Sequence, residues 1–441
     1  MSLDTIFALA TPPGRSGVAV IRISGELTGE ILDQTIAGSR PAPRKAVLRV
    51  IHDADGKPID QGLVLFFPAP ASFTGENCAE FQIHGGPAVI EAVLNRLIEI
   101  GGRPAEAGEF TRRAFEHEKL DLTQAEGLAD LIEAETSGQR EQALSQMTGA
   151  LKTLYEGWRI RLISIMAAIE GEIDFPDEGG VPDQLARTAR ASIEALRAEM
   201  SLHLDDGYRG EKIRDGFNIA IIGLPNAGKS SLLNALAKRD AAIVTHIPGT
   251  TRDIIEVRLV LAGFAVTLAD TAGLRISDDV VEQEGVRRAV TRADSADLVL
   301  GVLDGSVVWN QEVTRVLEKS HILVLNKSDL PVKLTLPDSA IPVMPVSTTE
   351  GVGVAEVLGW IEAEVQKQLG RREVPALSRA RHRRKMEQAT EALLRAVEQL
   401  DEPEFAGEDL RLAVRSLEGL TGRVDVEDVL GEVFSRFCVG K

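Results

Sequence analysis

The chain is short of cysteine, aromatic residues and positive charge, and each shortage excludes something. It holds 2 cysteines, Cys78 and Cys438, in 441 residues. Two thiols so far apart in sequence make no disulfide framework, so a reduced, cytoplasmic protein is expected. Aromatics make up 4%. Cores must come from Leu, Ile, Val and Ala, which suits helical and α/β packing. Lys and Arg number 49 against 67 Asp and Glu, a formal net charge of −18. Such a chain is a poor general polyanion binder, because neutralising phosphates takes clustered Lys and Arg. Any RNA contact must be local, shape-based or shared with a partner. No apolar run reaches spanning length, so no membrane span is expected. The start, Met1 to Ala10, lacks the basic, apolar and small-residue succession of a signal peptide. The tail Cys438-Val439-Gly440-Lys441 places a Cys four from the end but fits a prenylation signal badly.

Apolar residues are abundant, at 44%, and the length suits about three domains. Up to about residue 118, short apolar runs alternate with Gly and Pro. Residues 17–23, 46–51, 63–67 and 79–83 predict strands. Residues 87–100 predict a helix, with Pro87 in its first turn and Gly101-Gly102 just past its end. From Leu120 the pattern changes: Leu151, Leu154, Trp158, Leu162, Ile165 and Ile169 recur at helical spacing. Residues 184–204 and 379–420 are helical again. Between these blocks, short buried-strand runs at 217–222, 298–303, 322–325 and 343–346 alternate with helical stretches. That order predicts a parallel sheet with right-handed crossovers. The expected fold is multidomain, α/β plus α. An N-terminal α+β domain covers 1–118, and a helical domain in two parts, 119–215 and 373–441, is interrupted by a domain inserted over 216–372. Two unrelated helical domains are the alternative.

The inserted segment carries the chemistry. Gly223-Leu-Pro-Asn-Ala-Gly228-Lys229-Ser230 has the G-x-x-x-x-G-K-S form, follows an apolar strand and leads into a helical pattern. Backbone N–H groups from Asn226, Ala227, Gly228, Lys229, Ser230 and Ser231 can curl around phosphates, helped by the helix N-terminus. Lys229 is expected to reach the β- and γ-phosphates and Ser230 to ligate Mg²⁺. Asp270-Thr271-Ala272-Gly273 follows a second apolar run; the Asp can hold the Mg²⁺ shell and the Gly can offer its N–H to the γ-phosphate. Asn326-Lys327-Ser328-Asp329 has the N-K-x-D form of a guanine site. A carboxylate at Asp329 accepts from guanine N1 and N2, which adenine cannot supply. Ser347-Thr348 stands where a base-contacting loop is expected, with Thr348 in place of the usual Ala. In Gly249-Thr250-Thr251-Arg252-Asp253, a Thr hydroxyl, Thr251 by preference, can complete the Mg²⁺ shell and make the loop a switch. These motifs predict a P-loop, Ras-like GTPase domain.

Leu274 follows Asp270–Gly273, where Ras-like enzymes use a Gln to orient water, and leucine cannot hydrogen-bond. A carboxylate among Asp278, Asp279, Glu282 and Glu284 could position the water, or these acids could simply favour a helix N-terminus. Transition-state charge could be met by Arg275, by Arg252, or by a monovalent cation on oxygens of Asn226 and the Thr245–Thr250 turn. Spacing alone does not choose. The basic run Arg371, Arg372, Arg379, Arg381, Arg383, Arg384 and Lys385 reads as a solvated helix face rather than an RNA contact.

Four further blocks carry a resemblance. They are Asp4–Gly17 with Val20–Gly25, Glu80-Phe-Gln-Ile-His-Gly-Gly-Pro87, Gly108-Glu-Phe-Thr-Arg-Arg-Ala-Phe115 with Lys119–Leu122, and Phe437-Cys-Val-Gly-Lys441. In order and over the whole chain, they resemble the MnmE (TrmE) family of bacterial tRNA-modification GTPases. The resemblance implies a homodimer joined through N-terminal domains. It implies action with the flavoprotein MnmG, as a heterotetramer or larger complex, at C5 of the tRNA wobble uridine. It implies a one-carbon tetrahydrofolate, in the 5-formyl or methylene form, at Arg22, Glu80, Lys119 and Lys441. It implies K⁺ held by Asn226, Thr245, the Ile247 carbonyl and Thr250, and water oriented by Glu282. The competing expectation is a regulatory or ribosome-assembly GTPase switch without modification chemistry.

Overall fold

The computed structural model describes residues 4–174, 182–239, 256–270, 294–308, 314, 316, 318–334, 341–370, 372, 374–424, 427–435, 437 and 440, without the side chains of 170–174, 182–187, 239, 270, 427–429 and 432. They fall into two compact units. One comprises Met1–Ile132, Gln146–Ile193 and Glu391–Lys441, and the other Glu133–Ser145 and Glu194–Thr390.

The first unit holds a six-stranded sheet. Its strands are β1 Ile6–Leu9, β2 Ser16–Ser24, β3 Val47–His52, β4 Pro58–Phe67, β5 Cys78–Gly85 and β6 Arg103–Pro104, in the order β3-β4-β5-β2-β1-β6. The pairs are antiparallel except β1 with β6. Alternation decides what each face carries. Ile21, Ile23, Ala79, Phe81 and Ile83 are buried in one core with Ile31 and Leu32 of α1 (Thr28–Thr35) and Val93 and Leu97 of α2 (Pro87–Glu99). Arg22 and Glu80, the residues in between, therefore share the opposite face, and they are direct cross-strand partners. Phe110 of α3 (Glu109–Glu116) packs with Ile6, Ala8 and Ala105. The apolar stripe predicted over 151–169 is realised in α6 (Ala150–Asp174). Arg159 on α6 bonds Glu418 on α12 (Pro403–Thr421) at 2.8 Å. The stretch expected to be helical over 379–420 is two helices, α11 (Ala380–Glu398) and α12, with Pro403 opening the second. Proline fits a first helical turn and not an interior.

The second unit holds β7 Phe217–Gly223, β8 Glu256–Leu261, β9 Phe264–Asp270, β10 Leu298–Asp304, β11 Ile322–Asn326 and β12 Val343–Pro345, ordered β12-β11-β10-β7-β9-β8. The predicted strands are present and parallel, but the sheet is not wholly parallel. β8 runs antiparallel to β9. Its cause is local: Ala262 and Gly263, at φ 50° and 84°, form a two-residue turn, which can only reverse the chain. Ile219, Ile221 and Val324 of the sheet bury against Leu233 and Leu236 of α9 (Lys229–Arg239) and Val357 and Ile361 of α10 (Val354–Leu369). The hairpin tip is tied down too, since the Gly263 carbonyl accepts from Gly138 N–H at 2.9 Å and Ser137 Oγ at 3.3 Å, at the start of α5 (Ser137–Met147).

Not all of the basic run is solvated. Arg383 is 8% exposed. It bonds Asp206 at 2.8 Å, Glu211 at 3.2 and 3.1 Å and the Leu204 carbonyl at 2.6 Å, over the ring of Tyr208. Among the described residues no helix is long and apolar enough to cross a membrane.

Candidate nucleotide site and N-terminal cavity

The phosphate loop sits where its motif requires. β7 ends at Gly223 and α9 begins at Lys229, so the loop's N–H groups and the helix N-terminus converge. Two glycines have no substitute. A Cβ on Gly223 would lie 2.2 Å from the Val302 carbonyl oxygen, and one on Gly228, at φ 95°, would lie 2.0 Å from Asn326 Nδ2. Asn226 is exposed at the tip with a left-handed backbone, φ 62°. Ala227 is buried at 1%, while Ser230 and Ser231 are exposed on the first turn of α9. Lys229 donates to the Gly223 and Leu224 carbonyls, each at 2.9 Å, which holds its ammonium within the loop.

The guanine motif is wired to this loop. Asn326 ends β11 and is buried; its Nδ2 donates to the Ala227 carbonyl at 2.8 Å, and its Oδ1 accepts from Thr348 N–H at 3.3 Å. One side chain thus ties the phosphate loop to the N-K-S-D and Ser347-Thr348 loops. Lys327 has a left-handed backbone, φ 61°, and its Nζ bonds Asp304 Oδ2 at 2.5 Å. Burial pushes the Asp304 carboxyl up, but the bonds from Lys327 and Ser306 outweigh it and hold it below the usual range. Asp329 is exposed beyond this brace. Ser347, 1% exposed, accepts from Glu350 N–H at 3.2 Å through Oγ and so shapes its own turn.

Asp270 ends β9, paired in parallel with Ile221, which brings the second motif beside the start of the phosphate loop. Its side chain lies outside the described residues, as do Thr245, Ile247, Thr250, Thr251, Thr271, Ala272, Gly273, Glu282, Cys438 and Lys441.

In the first unit, a cavity of about 490 Å³ is lined by Arg22 and Glu80 together with Arg44, Phe67, Phe73 and Cys78. Arg22 Nε and Nη2 both donate to Glu80 Oε1, at 3.1 and 3.0 Å. The Arg22 guanidinium lies 5.7 Å from the centre of the Phe73 ring. Lys119 does not line this cavity; it is exposed just beyond α3.

Sequence reasoning overlooked the frame of that cavity. Glu76, in the loop that carries Phe73, takes Arg113 Nη1 at 3.0 and 3.1 Å and Ser24 Oγ at 2.5 Å. Arg113 also bonds Glu109, which takes Arg103 at 2.9 and 2.6 Å. Burial pushes the Glu109 carboxyl up, but donation from Arg103, the Glu106 N–H and Arg113 wins and holds it at about 2. Arg113 and Glu109 stand four apart on α3, a readable helical spacing, but Glu76, Ser24 and Arg103 come from other segments, and no spacing pairs them. Asp304 had a readable signal, an acid ending a buried-strand run.

Residues 5–119 match the family described as GTP-binding protein TrmE N-terminus, and residues 122–438 match the MnmE helical domain. The tRNA modification GTPase MnmE of Maricaulis maris is 60% identical over 441 residues, covering 99% of each chain. This chain belongs to the MnmE family of tRNA modification GTPases. The MnmE of Hyphomonas neptunium is 51% identical over 99% of each chain. That of Phenylobacterium zucineum is 49% identical over 99% of this chain and 100% of its own. Among solved structures, the G domain of the T. maritima FeoB iron transporter is 25% identical over 34% of this chain and 98% of its own, with a TM-score of 0.25. The MnmE helical match runs from 122 to 438 and so encloses the P-loop sheet between Phe217 and Pro345, as an interrupted helical domain must.

Proposed function

We infer that this protein hydrolyses GTP in the course of modifying tRNA. With the flavoprotein MnmG it places an aminomethyl or carboxymethylaminomethyl group on C5 of the wobble uridine. The observation that carries this reading is the 60% identity to a tRNA modification GTPase over 99% of the chain. The wiring of the P-loop to the guanine loop through Asn326 supports the nucleotide half of it.

Our division of labour follows the chemistry of the donors. The phosphate-loop N–H groups and Lys229 hold the phosphates, and Asp329 reads guanine while Asn326, Lys327 and Ser347 shape its loop. Ser230, Thr251 and Asp270 are the Mg²⁺ set. Asn226, Thr245, the Ile247 carbonyl and Thr250 are the K⁺ set, and Asn226 fits that role by its exposure at the loop tip. Glu282 orients the attacking water, a task that Leu274 cannot perform. Arg22 and Glu80 fit a reduced folate, because Glu80 can accept ring N–H groups between aromatic walls and Arg22, paired with Glu80, keeps further donors for the ligand. Lys119 and Lys441 complete our folate set. When bound, Mg²⁺ and K⁺ supply positive charge against the phosphate oxygens, and a one-carbon tetrahydrofolate supplies a carbon.

The protein works as a homodimer joined through its N-terminal domains, with MnmG in a heterotetramer or larger complex, in the cytoplasm. We divide the chain at 1–118, 119–215, 216–372 and 373–441; the family matches ending at 119 and starting at 122 support the first boundary. A GTPase switch without modification chemistry has no use for the Arg22–Glu80 cavity.

The test is nucleoside mass spectrometry of wobble uridines in cells lacking this protein, complemented with the intact gene or a Lys229→Ala version. Loss of the C5 modification, restored only by the intact gene, is the expected result. Unchanged wobble uridines in the deletion would leave only the switch.

A further inference from the structure

The cavity in the first unit has a second cation whose role nothing above explains. Arg44 lines it, yet it lies in the loop before β3, outside every motif. Its placement is built, with a left-handed backbone at φ 61°. Its N–H donates to the Phe66 carbonyl at 2.9 Å. Its guanidinium donates to the Ala71 carbonyl and lies 5.9 Å from the centre of the Phe67 ring. Among the described residues, that carbonyl is the guanidinium's one hydrogen-bond partner. Arg44 is exposed, and an arginine carries five donors, so most of this fork is open to solvent or to a ligand. Arg22, by contrast, spends two donors on Glu80.

The charge balance of the cavity points the same way. Its lining holds two guanidinium groups and one carboxylate, Glu80. Because Arg22 is already neutralised by Glu80, the uncompensated positive charge belongs to Arg44. A neutral ligand would have no use for it. A ligand with a polar ring at one end and a carboxylate at the other matches the lining: N–H groups of the ring for Glu80, the faces of Phe67 and Phe73 for flat rings, and a planar fork for the carboxylate.

We propose that Arg44 is the specificity residue of this cavity, binding the carboxylate end of the ligand and so selecting tailed pterins over bare ones. The assignment rests on the reduced-folate reading of the cavity and adds to it a residue and a selectivity.

The test compares two ligands on the full-length protein by calorimetry: 5-formyltetrahydrofolate, which carries a glutamate tail, and tetrahydropterin, which does not. Wild type is expected to prefer the tailed ligand. Arg44→Ala should weaken 5-formyltetrahydrofolate by about tenfold to a hundredfold, the range for a hydrogen bond to a charged group, and leave tetrahydropterin within about twofold. Arg44→Lys should fall between, since an ammonium keeps the charge but loses the fork. If Arg44 merely braces the loop through Ala71, Arg44→Ala will weaken both ligands equally, and that overturns the proposal. Unchanged affinity for both overturns it as well, with the folate reading left standing. A wild type that binds neither ligand overturns the folate reading and the proposal together.

Discussion

Replacing Asn326 with alanine removes the side chain that joins three loops of the nucleotide site. Two hydrogen bonds are lost, to the Ala227 carbonyl at 2.8 Å and from the Thr348 N–H at 3.3 Å. Asn326 is 1% exposed, so water cannot replace them freely. At about 0.5–1.5 kcal/mol for each bond, the loss is about 1–3 kcal/mol. Both bonds join groups of the protein itself, so the first effect is on the folded protein. The second is on binding, because nucleotide must then reorder loops that were preordered. If all the lost energy is reclaimed on binding, affinity falls by about fivefold to 150-fold. The assay pairs urea unfolding followed by a signal from the G domain with titration of a fluorescent GDP. Asn326→Ala should lower both stability and affinity. A loss of stability with unchanged affinity would show that Asn326 is a brace of the fold and does not preorganise the site. No change in either would refute the reasoning outright.

Other expectations follow from the same geometry. Arg383→Ala should lower the unfolding free energy by about 3 kcal/mol in urea titration, because it leaves Asp206 and Glu211 facing each other without their shared cation. Glu109 has its carboxyl held at about 2 in the folded state against an ordinary 4.5. Its stabilisation is therefore complete above pH about 4.5 and is lost as pH falls towards 2. Glu109→Gln should melt lower at neutral pH and show a shallower decline across that window, measured by thermal unfolding at stepped pH. On our proposal that Glu282 orients the attacking water, Glu282→Ala should cut GTP hydrolysis in the presence of K⁺ by about 100-fold to 10,000-fold in single-turnover assays, with nucleotide binding kept.

How much of this was legible in the chain depends on whether a feature is local. The phosphate loop could be read because strand, loop and helix follow one another: β7 stops at Gly223 and α9 starts at Lys229. The N-K-S-D loop was legible for the same reason, at the end of β11. β1, four residues long, gave too short a pattern. β8 was missed because an inserted P-loop domain suggests parallel crossovers, while the Ala262-Gly263 turn that reverses the chain is only two residues long. Arg22 and Glu80 entered through resemblance, and their pairing follows from the strand register alone. The Arg113–Glu76 pair and the burial of Arg383 depend on contacts between distant segments, which no local pattern encodes.

The claim at the centre is that one guanine site, read by Asp329, governs tRNA modification. Asp329→Asn tests it most directly. An amide there can no longer accept from both the guanine N1–H and the exocyclic amine, but its oxygen can accept from xanthine N1–H while its N–H donates to the C2 carbonyl. The measurement is wobble-uridine modification by the purified protein with the proposed flavoprotein and folate, and tRNA, supplied with GTP or XTP. The variant should fail with GTP and recover with XTP, in both hydrolysis and modification. Modification by the variant with GTP as in wild type, or with no nucleotide at all, would contradict the account.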